Sequence, residues 1–302
     1  MRTADDLAST LRRIDGKGYK AYKDILGGYD LGTCMLHIDH VQSDPFAPPS
    51  RLRVTVNQKR AALPRELFAS PIRRTATEDF LTRCFARGIQ EVHRPEKGTG
   101  KSGALGIDFP GQEILPRTSM RVDEDMVQAR FVCGLPAKGR TVMSRQAELI
   151  LLKTIPRLAE IALLGSSLDM TALDRHVKTC EDQEFLRGAL SARGLAAFVG
   201  NGAILPRASG VSDRPLRSEE AVPFSSPLGL ETAFELPNHG TVTGMGIPQG
   251  VTLVVGGGYH GKSTLLKALE RSVYNHIPGD GREMVVTEKS AVKIRARSEE
   301  HT

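Results

Sequence analysis

An α/β fold is what this sequence predicts, and three observations predict it. Val251-Thr252-Leu253-Val254-Val255 has the composition of a buried strand, and it runs through a glycine-rich loop into the helical pattern Thr264–Glu270. Leu36–Gln42 and Arg51–Val56 alternate apolar with polar residues, as half-buried strands do. Three longer stretches, 77–87, 145–164 and 169–193, repeat apolar residues at helical spacing. With 302 residues, 40% hydrophobic and 25% charged, the chain is globular and long enough for two domains.

Taken in order, Asp5–Arg13 sets Leu7 and Leu11 four apart on a short helix, and Gly16–Lys23 turns into a second helical or irregular piece. Asp44-Pro45-Phe46-Ala47-Pro48-Pro49-Ser50 is a proline-stiffened loop in which Phe46 is expected to be buried. The helix 77–87 is expected to set Asp79, Arg83 and Arg87 on one side and to turn Phe80, Leu81, Cys84 and Phe85 inward. Gly98–Gly103 resembles half of a phosphate loop, but Pro95 stands where the leading glycine belongs and Ala104–Phe109 favours a strand. That stretch is expected to be the turn of a hairpin running into Gln112–Leu115 and on to Val127–Val132.

Pro156 should bend or divide the helix 145–164. The next helix takes Asp169 or Thr171 as its N-cap and ends near Arg193 with Gly194 at C′. Its inward positions are Leu173, Val177, Cys180, Leu186 and Leu190, with His176 at the surface. Leu195–Val199 and Ala203–Leu205 are short strands around the turn Gly200-Asn201-Gly202, and 206–215 is a polar loop.

The residues with chemistry lie near the C-terminal end. Gly256-Gly257-Gly258-Tyr259-His260-Gly261-Lys262-Ser263 matches the pattern G-x-x-x-x-G-K-[ST]. Glycines let backbone N–H groups close around phosphate oxygens, and the following helix adds the positive end of its dipole. On that pattern Gly256–Thr264 cradle a triphosphate, Lys262 reaches its β- and γ-phosphates and the Ser263 hydroxyl ligates Mg²⁺. Tyr259 and His260 occupy variable positions and are expected to be exposed without a catalytic role. The alternative is a strand-to-helix turn that binds nothing. No catalytic residue can be assigned. Hydrolysis needs an acid at the end of a second buried strand, and Met284–Glu288, 291–296 and 161–167 all fail that pattern.

Cys34, Cys84, Cys133 and Cys180 lie far apart, which points to reduced thiols rather than a zinc site. No run approaches 18 apolar residues, and the N-terminus has early acids and no apolar core, so a soluble cytoplasmic protein is expected. The net charge is +6 and the pI near 9.2. The basic excess concentrates at Arg51, Arg53, Lys59, Arg60, Arg65, Arg73 and Arg74, opposed locally by Glu66 alone. Such a cluster is either a set of contacts to RNA or DNA phosphates or a solvated face. Aromatic residues make up only 5%, with no Trp, so base-stacking platforms are not evident.

Leu236–Leu266 resembles the ATPases of the ABC class, a soluble family without a membrane domain, and Val273–Glu283 is more distinctive of it than the phosphate loop. Arg12–Lys23, Asp39–Gln42, Asp44–Ser50, Gly111–Leu115 and Ala203–Asp213 share the resemblance. It implies that residues 1–164 are the family's own α+β N-terminal domain, and that 165–296 are the amino-terminal part of an ABC-type P-loop NTPase domain. It further implies ATP and Mg²⁺ as ligands, and a homodimer that sandwiches two ATP molecules in the intact protein. Intact relatives are expected to hydrolyse ATP. The second acidic strand and signature segment of the family do not occur here, so the expectation is a fragment that binds ATP without turning it over. The other function in view is an RNA-binding protein regulated by ATP through Arg51–Arg74. Residues 297–302 translate AGA-TCG-GAA-GAG-CAC-AC, which resembles the start of a sequencing adapter, so the natural reading is expected to stop at Ala296.

Overall fold

A computed structural model describes residues 2–94, 98–217 and 219–294. The expected adapter-derived tail at 297–302 lies outside the described residues, as does Pro95. The chain divides into two compact units, Met1–Pro110 with Pro116–Asp174, and Gly111–Leu115 with Arg175–Thr302.

In the first unit β1 (Arg2–Thr3) leads into α1 (Ala4–Ile14) through a capping box, in which the Thr3 hydroxyl accepts from the Asp6 amide at 3.3 Å. Leu7, Leu11 and Ile14 share the buried face of α1. β2 (Gly27–Asp30), β3 (Met35–His40) and β4 (Ser50–Asn57) follow, then α2 (Gln58–Ala61), α3 (Pro71–Val92) and β5 (Leu105–Gly106). β6 (Glu113–Ile114) belongs to the second unit; β7 (Met120–Val122), β8 (Met126–Cys133), β9 (Ala137–Lys138) and β10 (Thr141–Val142) return to the first. The main sheet runs β1-β2-β3-β4-β8-β5, with β7 also paired to β8, and β9 and β10 form a separate hairpin. Alternate residues of β3, β4 and β8 (Leu36, Ile38, Leu52, Val54, Val127, Ala129, Phe131) are buried, and Phe85 of α3 meets Phe131 at 5.3 Å between ring centroids.

The helix expected over 145–164 is α4 (Ser144–Leu149), a π-helical turn (Ile150–Thr154) and α5 (Ile155–Leu163). The wider turn falls where Pro156 has no N–H to return to the carbonyl four residues back, and the helix continues past it. Gly88 lets α3 approach α5 closely, since a Cβ there would stand 3.0 Å from Ile161 Cδ1.

Several local expectations are corrected. Phe46 is 63% exposed, because its loop is held by backbone and Asp44 hydrogen bonds rather than by packing. Asp79 is buried, neutralised by Arg83 one turn on at 2.6 Å. Gly98–Gly103 is a turn that feeds β5, which pairs with β8, but Gln112–Leu115 does not continue that hairpin: β6 pairs with β14 (Asn275–His276). His176 is buried rather than at the surface.

α6 (Met170–Leu190), which belongs to the second unit from Arg175 onward, starts at Asp169, whose carboxylate accepts from the Ala172 amide at 2.9 Å, and its final turn closes on Gly194 at φ 65°. The sheet order is β12 (Glu231–Leu236), β13 (Gly240–Pro248), β11 (Leu195–Gly200), β15 (Val285–Thr287), antiparallel throughout. Neighbouring residues of β11 serve opposite faces. Phe198 packs with Leu186 and Leu190 of α6, whereas Val199 packs with Ala268 of α7 (Lys262–Arg271). The sheet is therefore covered by a helix on each side. Ala203–Leu205 is irregular rather than a strand, tied by the Ile204 amide to the Gly281 carbonyl at 2.8 Å.

The strand expected at Val251–Val255 does not form. β13 and β15 take both edges of β11, and no described strand offers residues 251–255 a hydrogen-bonding partner. Without a ladder the segment stays irregular, with Leu253 81% and Val255 74% exposed.

Candidate functional site

The glycine-rich loop hangs on α7. Gly261 stands at the N-cap with φ 81°, a left-handed conformation open to glycine at little cost, and supplies no side-chain cap. The first helical bond runs from the Leu265 amide to the Gly261 carbonyl at 2.9 Å, so the amides ahead of it lack intrahelical acceptors. Gly256 at φ 151° and Tyr259 at φ 62° complete the curl of the loop. Inside it, the Lys262 ammonium donates to the Gly256 carbonyl at 2.5 Å and to that of Gly257. Gly256, Gly257, Gly258, Tyr259, His260, Gly261 and Ser263 are exposed, and Thr264 is half-buried. The His260 ring lies over Gly257, where a Cβ would come within 3.1 Å of Cε1.

The helix behind the loop is firmly seated. Ala268 is fully buried, with Leu265 and Leu269 beside it, against Val199, Leu205 and Val285. Thr287 of β15 holds its far end, donating from its hydroxyl to the Leu269 carbonyl at 2.9 Å and from its amide to the Ser272 carbonyl at 2.9 Å. Arg187 of α6, 5% exposed, links the same region. It donates to the carbonyls of Thr287 (3.1 Å) and Ser272 (3.2 Å), to Asn275 Oδ1 (2.6 Å) and to Glu184 (2.8 Å). Burial pushes its pKa below the ordinary arginine value. Glu288 follows β15 beside Ser272 and so lies by the C-terminal end of α7, roughly 15 Å along the helix from Lys262.

A second polar cluster gathers around 273–283. Asp280, fully buried, takes both Arg207 Nη2 at 2.7 Å and His276 Nδ1 at 2.8 Å on the same carboxylate oxygen. The histidine nitrogen makes no formed hydrogen bond there. Gln183 clasps the His276 backbone, accepting from its amide at 2.6 Å and donating to its carbonyl at 2.8 Å. Arg187, Arg207, Asp280 and Arg282 belong to no sequence motif for a site. The distinctive run Val273–Glu283 was the signal that pointed here.

The basic cluster of the first unit is spread over β4, α2, the 3₁₀ turn Arg65–Phe68 and α3. Arg53 pairs with Asp39 at 3.0 Å, Arg65 pairs with Glu124, Arg60 donates to the Gly32 carbonyl at 2.5 Å, and Arg73 donates to the Glu66 carbonyl at 2.9 Å. Arg51, Lys59 and Arg74 are exposed. Glu66 is the acid near these cations in sequence; the fold adds Asp39 and Glu124.

A family model described as the N-terminal part of ATPases of the ABC class matches residues 4–166. The chain belongs to that family. A second family model, described as the P-loop domain of the ABC-class ATPases, matches residues 169–301. The architecture is thus a mixed α/β one, with the family's N-terminal domain ahead of a nucleotide-binding P-loop domain. The uncharacterized protein MJ1628 of Methanocaldococcus jannaschii is 33% identical over 129 residues, covering 41% of this chain and 29% of that protein. Among the described residues no helix is long and apolar enough to cross a membrane.

Proposed function

We propose that this ABC-class ATPase binds ATP with Mg²⁺ on Gly256–Thr264. The observation that carries the proposal is the uncapped N-terminus of α7, whose free amides follow a left-handed Gly261 and adjoin the Lys262 ammonium. A triphosphate would replace the loop carbonyls as the partner of Lys262. Gly256, Gly257, Gly258 and Gly261 allow its oxygens to approach the backbone, and Tyr259 and His260 stay outside it. The exposed Ser263 hydroxyl and a β- or γ-phosphate oxygen would hold Mg²⁺, which supplies charge neutralisation between the phosphates. The test is titration of a fluorescent ATP analogue: Lys262→Ala abolishes binding, and unchanged affinity rejects the site.

Hydrolysis calls for more. Glu288, the acid that follows a buried strand, stands by the wrong end of α7, so the residues described here are proposed to bind ATP without turning it over. Turnover that disappears in Lys262→Ala would refute this. In the intact protein two copies are proposed to close around ATP, which sedimentation with and without Mg-ATP checks. That none of the four cysteines forms a disulfide supports a reducing compartment.

A further inference from the structure

A cleft of about 510 Å³ runs beside α7, within the second unit, and its floor holds an electrostatic anomaly. Arg282 is 3% exposed. Its Nε and Nη2 both donate to the Leu205 carbonyl, the former at 3.1 Å, while Nη1 has no acceptor among the described residues. No carboxylate oxygen among those residues comes within 4 Å of the guanidinium. Burial, with the nearby charges of Arg207 and Arg271, brings its pKa down to about 10 against the opposing pull of Asp280 and Glu113. Asp280 and Glu113 act on Arg282 only from beyond ion-pair contact, and a buried charge held that loosely is costly.

The other cations of the cleft are already answered. Arg207 is held by Asp280 at 2.7 Å, Arg271 faces Glu113 at 3.8 Å and Lys293 pairs with Glu270 at 2.6 Å. Lys267 has no such acid and is exposed. Thr264, Lys267 and Arg271 fall on one stripe of α7, at i, i+3 and i+7, so the stripe starts one residue beyond Ser263 and leads away from the loop. The cations of the cleft without a carboxylate in ion-pair contact are therefore Arg282 and Lys267, and Asp213 is the lining acid not already paired with a cation. The volume falls in the range of small-molecule sites.

We propose that this cleft is a second anion-binding site, taking a phosphate group on Arg282 and Lys267. The phosphate comes either from a separate phosphorylated ligand or from the nucleotide seated on the glycine-rich loop. Arg282 supplies a planar donor edge suited to phosphate oxygens, Lys267 a mobile point charge and Thr264 a hydroxyl. Inorganic phosphate binds there whether or not Lys262 holds a nucleotide.

Calorimetric titration of the full chain with inorganic phosphate at low ionic strength tests it. In the Lys262→Ala background, which silences the loop, phosphate still binds. Adding Lys267→Glu then weakens it by about tenfold or more, the loss expected for one charged hydrogen bond. Arg282→Gln does the same, with a thermal melt to verify folding; Lys267 is exposed, so its variant decides the matter even if Arg282→Gln unfolds. Loss of all phosphate binding in Lys262→Ala alone overturns the proposal, as does indifference to Lys267→Glu in that background. Phosphate binding to chain saturated with Mg-ATP supports a separate phosphorylated ligand, whereas displacement by Mg-ATP supports the nucleotide's own phosphate.

Discussion

Thr287 donates its hydroxyl to the carbonyl of Leu269 at 2.9 Å, fastening the helix behind the glycine-rich loop to the edge strand of its sheet. The pairing is nearly sealed from water, with Thr287 7% exposed. Thr287→Val keeps the shape and deletes the bond, so it should lower stability by about 1 kcal/mol. Urea denaturation measures this, and a midpoint equal to that of the unaltered chain would contradict it.

Gly261 has open space around its Cα, so Gly261→Ala isolates the cost of its φ of 81°. An alanine held there should cost roughly 1–2 kcal/mol, or release the strain by shifting the first turn of α7. Either route weakens ATP-analogue binding. Equal affinity together with equal stability would show that the left-handed turn is dispensable.

Arg187→Met removes donors from two carbonyls, from Asn275 and from Glu184 at one stroke. Breaking a buried pair of this kind costs roughly 3 kcal/mol. Arg187→Lys should restore little, since one ammonium cannot span acceptors arranged around a planar guanidinium. A loss under about 1 kcal/mol for Arg187→Met would mean that relaxation or water replaces the guanidinium.

Asp15 accepts from the Ser144 amide at 2.9 Å, which holds its carboxyl below the ordinary value of 3.8. A carboxylate depressed in the folded state stabilises fully above the unfolded value and loses that contribution as pH falls through the folded one. Stability of the unaltered chain should thus drop more steeply below pH 3.8 than that of Asp15→Asn. Parallel pH profiles of the two denaturation midpoints would dismiss the linkage.

What the sequence disclosed was whatever is settled by near neighbours. The alternation at Arg51–Val56, the buried stripe of α1, the Asp169 cap and the Gly194 terminus are each decided within about a turn or a strand, and each is where the pattern put it. The glycine-rich loop was legible for the same reason, since its run of residue types fixes its own curl. Features that depend on distant residues were not. Val251–Val255 has strand composition, but a strand also needs a partner across the ladder. Asp79 and His176 sat at positions that looked outward, yet tertiary packing encloses them. Arg187 reaches partners 85 to 100 residues away, a relation no local pattern encodes.

The bare stretch ahead of the loop has a practical outcome. Its valines and Leu253 meet solvent along a backbone whose amides and carbonyls form no ladder. Such a strip is adhesive toward any extended polypeptide, including another copy of itself. Preparations of this chain should therefore clump as they are concentrated, and a charged residue at position 253 should keep them clear.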